Sequence, residues 1–308
     1  MWAGDDHRVM EYERYEFTQP LYGGVNVLRI GDTLVDTGHV APVCREEVRE
    51  ALDGPLAGVD RVLHTHPHID HVGGSQTIDA LADLPHVVPK GERDILYDYA
   101  GYLRRAREEM TQLLAGFPPE ASEWDAYFPI QDYHDERIDI TRELGDGDVV
   151  ELGGYELEAV STPGHAEPHL SFWHAPSGTL FSGDLVDADG RFQYGPLLGD
   201  VGDYKASLRR IRDLDPEILV PMHGPELTDP EARIEASLAD AERTEARLLR
   251  FIGERGSCFA REFVFEELGV EGPRAAFITL IIYEYLRHLS ERGDIRMRVT
   301  DDGIRADL

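Results

Sequence analysis

Eleven residues from His64 to Gly74, reading HTHPHIDHVGG, carry the densest reactive chemistry in the chain. Within them His66, His68, Asp70 and His71 place four side chains able to hold a metal into six positions. Packing alone does not require such crowding. Neutral imidazole nitrogen and anionic carboxylate oxygen suit zinc, with iron and manganese as rivals, because they match borderline divalent cations. The alternation of His66 and His68 puts both on one side of an extended segment, and Asp70 and His71 follow where the chain turns towards Gly73 and Gly74. One loop can therefore serve two metals.

Other histidines and carboxylates stand singly at strand ends beside glycine. Asp36 closes the strand TLVDTG, where a carboxylate at a sharp glycine turn is ordinarily a turn-former; His39 follows it, facing either a pocket or the surface. His165 comes after the Pro163-Gly164 turn in TPGHAEPHLSFW, with His169 beyond it. Asp184 ends the apolar strand GTLFSGDLV, a costly place for a carboxylate unless it is paired or bound to a cation. His223 ends ILVPMHGP.

These five motifs, in this order across residues 36 to 223, resemble the metallo-β-lactamase superfamily, whose signature T-H-x-H-x-D-H is Thr65 to His71 here. The resemblance implies two zinc ions, with iron or manganese as substitutes. His66, His68 and His165 would hold the first, Asp70, His71 and His223 the second, and Asp184 would bridge them. It implies that Asp36 braces the metal loop from behind, and that His169, a position often occupied by histidine in glyoxalase II-like and endoribonuclease-like members, supports rather than ligates. Family members with cysteine in place of Asp184 do not match. The implied fold is α/β: an αββα sandwich of two facing sheets with helices outside and the metals at one edge.

Periodicity is compatible with that fold. Residues Tyr12 to Asp36 alternate apolar and polar around breaks at Gly23-Gly24 and Gly31-Asp32, predicting two or three antiparallel strands. Residues 42 to 53 read as a helix, VDRVLHT as the strand that delivers the His-rich loop, with His64 pointing away from the metal, GGSQTIDALADL as a helix starting at Gly73, and VVP as a short strand. Residues 91 to 136 depart from βα alternation: one helical run, GERDILYDYAGYLRRAREEMTQLLAG, then an aromatic connector with Trp124, Tyr127, Phe128 and Tyr133. An excursion of that length suggests a cap lining the pocket with Tyr97, Tyr102 and Trp124, or aromatic packing of the insertion on the domain or a second subunit. Strands resume at DVVELGG and YELEAVST; Phe192 and Tyr194 offer another pocket wall, and the helix DYKASLRRIRDL precedes the last strand.

After residue 229, the end of the catalytic domain, the composition turns helical. A long helix, a second near Ala260 to Leu268 and a third from Pro273 to Arg292 lead to a hairpin in which Ile295, Met297 and Val299 alternate, Asp302-Gly303 turns, and Ile304, Ala306 and Leu308 alternate back. Residues 230 to 308 thus resemble the small winged-helix-like domain appended to some superfamily hydrolases.

The 308 residues include 60 acidic and 30 basic ones, a formal net charge of -30, with Lys90 and Lys205 the only lysines. Such an acid-rich, lysine-poor surface resembles proteins of extreme halophiles, whose self-repulsion salt screens. In ordinary salt the same charge opposes a nucleic-acid surface. Residues 273 to 308, with six arginines and six acids, are neutral, a face for RNA or a partner subunit or for packing on the main domain. No apolar run approaches the roughly 20 residues of a membrane helix, and the opening MWAGDDHR lacks the apolar core of a signal peptide. The expectation is a cytoplasmic protein without a membrane partner. Cys44 and Cys258, far apart and without metal-ligand spacing, read as buried small hydrophobes.

The expected reaction is hydrolysis by a hydroxide shared between two metals, with Asp70 orienting it and passing a proton to the leaving group. No G-x-S-x-G competes. A small acyl substrate (thioester, ester or lactone) comes first because the resemblance to glyoxalase II-like hydrolases spans the whole metal set. RNA phosphodiester cleavage is the alternative, because the tail, TPGHAEPH and the DYKASL helix resemble the endoribonuclease-like subgroup; a third is a persulfide dioxygenase-like enzyme, which the same motifs resemble and which holds a single iron. A homodimer through the insertion or the tail is compatible with all three.

Overall fold

The computed structural model describes residues 9–20, 23–125, 128–186 and 199–308. Two sheets face each other. The first has six strands in sequential order: β1 (Glu13–Gln19), β2 (Gly23–Ile30), β3 (Thr33–Val35), β4 (Arg61–Leu63), β5 (Pro85–Pro89) and β6 (Asp139–Leu144). The first three pair antiparallel, as the alternation with glycine breaks predicts, and β3 to β6 run parallel. The second sheet orders β11 (Ile218–Pro221), β10 (Thr179–Gly183), β9 (Leu170–His174), β8 (Tyr155–Ser161) and β7 (Val149–Leu152).

Inward residues of both sheets, among them Leu28, Val35, Leu63, Val87, Leu157, Phe172, Phe181 and Val220, form one core. Helix α1 (Pro42–Leu52) covers the outside of the first sheet through Cys44, Val48 and Ala51. Helix α5 (Val201–Arg212) and the start of α6 (Pro230–Arg255) cover the second through Tyr204, Leu208, Ile211, Ile234 and Leu238. This is the expected αββα sandwich.

Several local expectations differ from what the tertiary structure shows. The helix read from Gly73 is only α2 (Asp79–Ala82). Gly73 and Gly74 are pressed against the backbone of residues 37–40: a Cβ on Gly74 would lie 2.3 Å from Thr37 O. Their loop exchanges hydrogen bonds with that segment, Gly74 N donating to Gly38 O and Thr37 N to His71 O. The single helix read over 91–116 is two, α3 (Arg93–Leu96) and α4 (Tyr99–Leu113). The break comes at Asp98, and Tyr99 N donates to Asp135 Oδ1 at 3.0 Å instead of continuing the ladder. Strand β6 was missed because only Ile140 and Leu144 along it are buried, so it has no alternating stripe.

Among the described residues of 91–136, Trp124, Tyr97, Tyr99, Tyr102, Phe128 and Tyr133 pack into hydrophobic clusters. Trp124 is buried with Met110, Leu113 and Leu114 against Phe251, Phe263 and Tyr285 of the C-terminal region. Tyr97 and Tyr102 pack around Tyr99 and Tyr133. Tyr127, Phe192 and Tyr194 lie outside the described residues. Both cysteines are buried and free.

Beyond α6 come a short strand β12 (Ser257–Phe259), α7 (Ala260–Glu262) running into a π-turn (Phe263–Glu267), α8 (Pro273–Glu291), and the hairpin β13 (Arg296–Thr300) and β14 (Gly303–Asp307). Strand β12, too short to show a period, joins the hairpin as a three-stranded antiparallel sheet, Cys258 opposite Ala306. The hairpin turns at Asp301-Asp302, one residue earlier than the sequence reading, and Val299 and Leu308 are exposed. The long helices are joined by charge: Lys205 of α5 is buried against Glu245 of α6, whose other oxygen accepts from Arg292 at 3.1 Å. Among the described residues no helix is long and apolar enough to cross a membrane.

Candidate metal centre

Every candidate ligand lies in a loop leaving the C-terminal end of a strand: β4 for His66, His68, Asp70 and His71, β8 for His165, β10 for Asp184 and β11 for His223. Bonds between sheets fasten this end of the sandwich. Asn26 N donates to Met222 O at 2.7 Å, and Leu170 N to Thr65 O at 2.9 Å. The turn after β10 depends on Gly183, whose φ of +56° is left-handed and whose Cβ position lies 2.5 Å from His169 Nε2.

The structure brings all seven expected residues together. His66 Nε2, His68 Nδ1 and His165 Nε2 form a triangle with sides of 3.1, 3.2 and 2.9 Å. His71 Nε2 lies 3.6 Å from Asp70 Oδ1, and His223 Nε2 lies 3.4 Å from Asp70 Oδ2. Between the two groups stands Asp184, whose Oδ2 is 3.2 Å from His71, 3.1 Å from His223, 3.6 Å from His165 and 4.0 Å from His66. Three overlapping sets could each hold a cation: His66 with His68 and His165, His66 with His71 and Asp184, and Asp70 with His71 and His223.

Outer hydrogen bonds decide which ring atoms face inward. Thr65 N and Oγ1 donate to Asp36 at 2.8 and 2.7 Å, so the hydroxyl oxygen is left to accept from His66 Nδ1 at 2.9 Å. His71 Nδ1 donates to Asp36 Oδ2 at 2.8 Å, and His223 Nδ1 to Gly24 O at 2.8 Å. Held this way, each ring in its neutral form presents an Nε2 lone pair to the centre. Lone pairs facing lone pairs repel unless a proton or a cation lies between them. Nitrogens held tetrahedrally around one zinc would stand about 3.3 Å apart, close to the observed triangle. Asp184 Oδ1 is buried without a hydrogen-bond partner among the described residues. The donor set fits divalent cations.

The charges agree. Burial pushes His68 down to about 4 and His66 well below the ordinary imidazole value, so both are neutral donors. Burial also opposes a charge on His71, but the carboxylates of Asp184, Asp70 and Asp36 outweigh it and lift the ring to about 10. His223 is likewise raised against the burial effect by Asp184 and Asp70. In the metal-free chain, protons stand where a cation would satisfy the same carboxylates.

Supporting residues fill the next layer. Asp36, with φ +58°, holds both Thr65 and His71. His169 accepts from the Asp184 backbone N–H at 3.2 Å through Nε2 and meets Thr162 Oγ1 through Nδ1. His39 is buried, not at the surface, and its Nδ1 accepts from Ala41 N at 2.8 Å. His64 points away from the cluster, onto Glu92 at 2.7 Å. Sequence reasoning missed Gln19, which donates to Asp70 Oδ2 at 3.3 Å; a polar residue at the end of an alternating strand gives no signal.

The buried rings behind the loop predict a pH response of the metal-free fold. Burial holds His64 at about 4 and His86 at about 3. Unfolded imidazoles titrate near about 6.5, so as pH falls from there the unfolded chain binds the extra protons and stability drops. Going from pH 7 to 5 is expected to cost about 2 kcal/mol per ring. Denaturant titration of the wild type and of His86→Gln checks this; equal pH slopes would show that His86 is not responsible.

Residues 23–223 match the family model described as Metallo-beta-lactamase superfamily. The chain is 26% identical over 227 residues to the Beta-lactamase-like protein 2 homolog of Caenorhabditis elegans, covering 72% of this chain but 61% of that protein, under two thirds of its length. It is 24% identical over 302 residues to an Atrochrysone carboxyl ACP thioesterase of Claviceps purpurea, covering 94% and 81% of the two chains. In fold it is similar to a metallo-beta-lactamase family protein from Thermus thermophilus, with a TM-score of 0.74 at 21% identity over 96% and 98% of the two chains.

Proposed function

Because this chain belongs to the metallo-β-lactamase superfamily, we propose that it is a two-metal hydrolase of acyl substrates: a thioester, ester or lactone. The observation that carries the reading is the convergence of seven inward-facing donors, with Asp184 Oδ2 within 4.0 Å of four imidazole nitrogens. Likeness to an ACP thioesterase over 94% of the chain supports the acyl class. Two zinc ions, held by His66, His68 and His165 and by Asp70, His71 and His223 with Asp184 shared, would supply Lewis acidity and a water of lowered pKa.

The chain's own residues do the rest. Asp70 Oδ2, held by Gln19 on one side and His223 on the other, orients the attacking water and passes its proton to the leaving group. Asp36 keeps His71 and the Thr65–His66 pair in the tautomers that leave Nε2 free. Residues 230–308 act as a winged-helix-like unit on which the insertion rests. RNA cleavage finds less support, since two of the three hairpin arginines, Arg298 and Arg305, pair with Asp307 at 2.6 and 3.1 Å.

Metal-reconstituted protein in about 1 M salt, where the Debye length is about 3 Å, should be assayed on thioesters, lactones and single-stranded RNA. Acyl turnover abolished by chelation and restored by zinc is the expected result. RNA turnover alone, or a single iron with oxygen uptake on glutathione persulfide, would overturn the assignment.

A further inference from the structure

Behind the metal loop runs a buried chain of four side chains whose hydrogen-bond directions can be followed from one end. His86 Nδ1 lies 2.8 Å from Leu84 O, a carbonyl that can only accept, so this nitrogen carries a proton. A neutral His86 then has a bare Nε2, which lies 2.9 Å from Ser75 Oγ and accepts the serine proton. The weaker alternative for that proton, Thr37 Oγ1, lies at 3.4 Å. With its one proton given to His86, Ser75 Oγ can only accept from His64 Nε2, at 3.3 Å. A neutral His64 protonated at Nε2 has a bare Nδ1, and the atom 2.7 Å away, Glu92 Oε1, then has to donate.

We infer that Glu92 is a protonated, neutral carboxylic acid that positions the metal loop by donating to His64. Three further observations agree. Glu92, His64, Ser75 and His86 are all fully buried. Glu92 Oε2 has no partner among the described residues, a modest cost for a carbonyl oxygen and a large one for a carboxylate. The groups acting on Glu92 from neighbouring elements are the Asp36 carboxylate, which reinforces burial in holding the proton on, and His71, which opposes it less strongly. An ionised Glu92 would place a second anion behind the Asp36 carboxylate that already serves His71.

The consequence lies two residues along the chain. His64 directly follows β4, the strand that delivers His66, and its N–H donates to Val87 O at 2.9 Å. The same serine ties the far end of the loop, since Ser75 N donates to Thr37 Oγ1, which donates to His71 O. Glu92 thus clamps both ends of the segment carrying His66, His68, Asp70 and His71. It is a positioning residue, and this role rests on the reading of those four as metal ligands.

Glu92→Gln and Glu92→Ala separate the possibilities, because an amide can donate to His64 Nδ1 as the acid does and alanine cannot. Alanine is expected to weaken zinc binding about 10-fold or more and glutamine to restore it to within about 2-fold, measured by chelator competition well below either melting temperature. Infrared difference spectra of metal-free wild type minus Glu92→Gln should show a protonated carboxyl stretch at neutral pH. Its absence, with glutamine as damaging as alanine, would mean an ionised Glu92–His64 pair and overturn the inference. If Glu92→Ala does not fold, the infrared band and the melting temperature of Glu92→Gln decide alone. A chain that bound no zinc would defeat the hydrolase reading, while those two measurements would still report on Glu92.

Discussion

Replacing Asp184 by asparagine is expected to lower hydrolysis at least about 10³-fold, the equivalent of about 4 kcal/mol of lost transition-state stabilisation, in a chain that remains folded. Asparagine keeps the shape of the side chain, and the backbone N–H of residue 184 still donates to His169. What disappears is the negative charge that faces His71, His223, His165 and His66 at once. A second readout does not depend on turnover. In the metal-free protein the Asp184 carboxylate is the largest of the attractive influences that lift His71 to about 10 against its burial, so the asparagine variant should titrate that ring at lower pH by NMR. Undiminished turnover with full metal content would sink the assignment of Asp184; an unmoved His71 would contradict the charge arrangement itself.

The second large effect is expected at Asp36. Its carboxylate accepts from Thr65 N, Thr65 Oγ1 and His71 Nδ1 while fully buried. Alanine would leave a charged-ring donor and a backbone N–H without an acceptor, a loss of about 3–5 kcal/mol by analogy with a broken buried pair. Zinc affinity should fall about 10–100-fold in addition, because the partner that fixes the His71 tautomer is gone. Asparagine divides the two effects. It tolerates the left-handed backbone at φ +58°, and its single oxygen can serve only some of the three donors. It should therefore lie between wild type and alanine in chemical denaturation while losing most of the metal affinity. An alanine variant as stable as wild type and still metal-replete would show that Asp36 is an ordinary turn residue.

These two sites differ in how they could be found. His66, His68, Asp70 and His71 are legible because four donors fall within six consecutive positions, so local spacing alone brings them close. Asp36, His165, Asp184 and His223 each look ordinary in isolation and became candidates only as an ordered series of strand-end motifs. The same contrast holds for the elements. β1 to β3 alternate and were visible, whereas β6 and β12 carry too few buried side chains to mark a period.

The order and type of the candidate metal loops and the acidic, lysine-poor composition were determined by the sequence itself, because they depend on neighbours along the chain, and the sandwich class followed from the family resemblance those ordered motifs carry. Tertiary structure alone decided that Gln19 holds Asp70 across 51 positions, that Glu92 meets His64 across 28, and that Trp124 is buried among C-terminal helices. A hydrogen bond or an apolar contact between distant segments leaves no periodicity in either one. Burial, which lowers His86 and raises Glu92, and the carboxylates that outweigh it at His71, likewise act only once the sheets have closed around these groups.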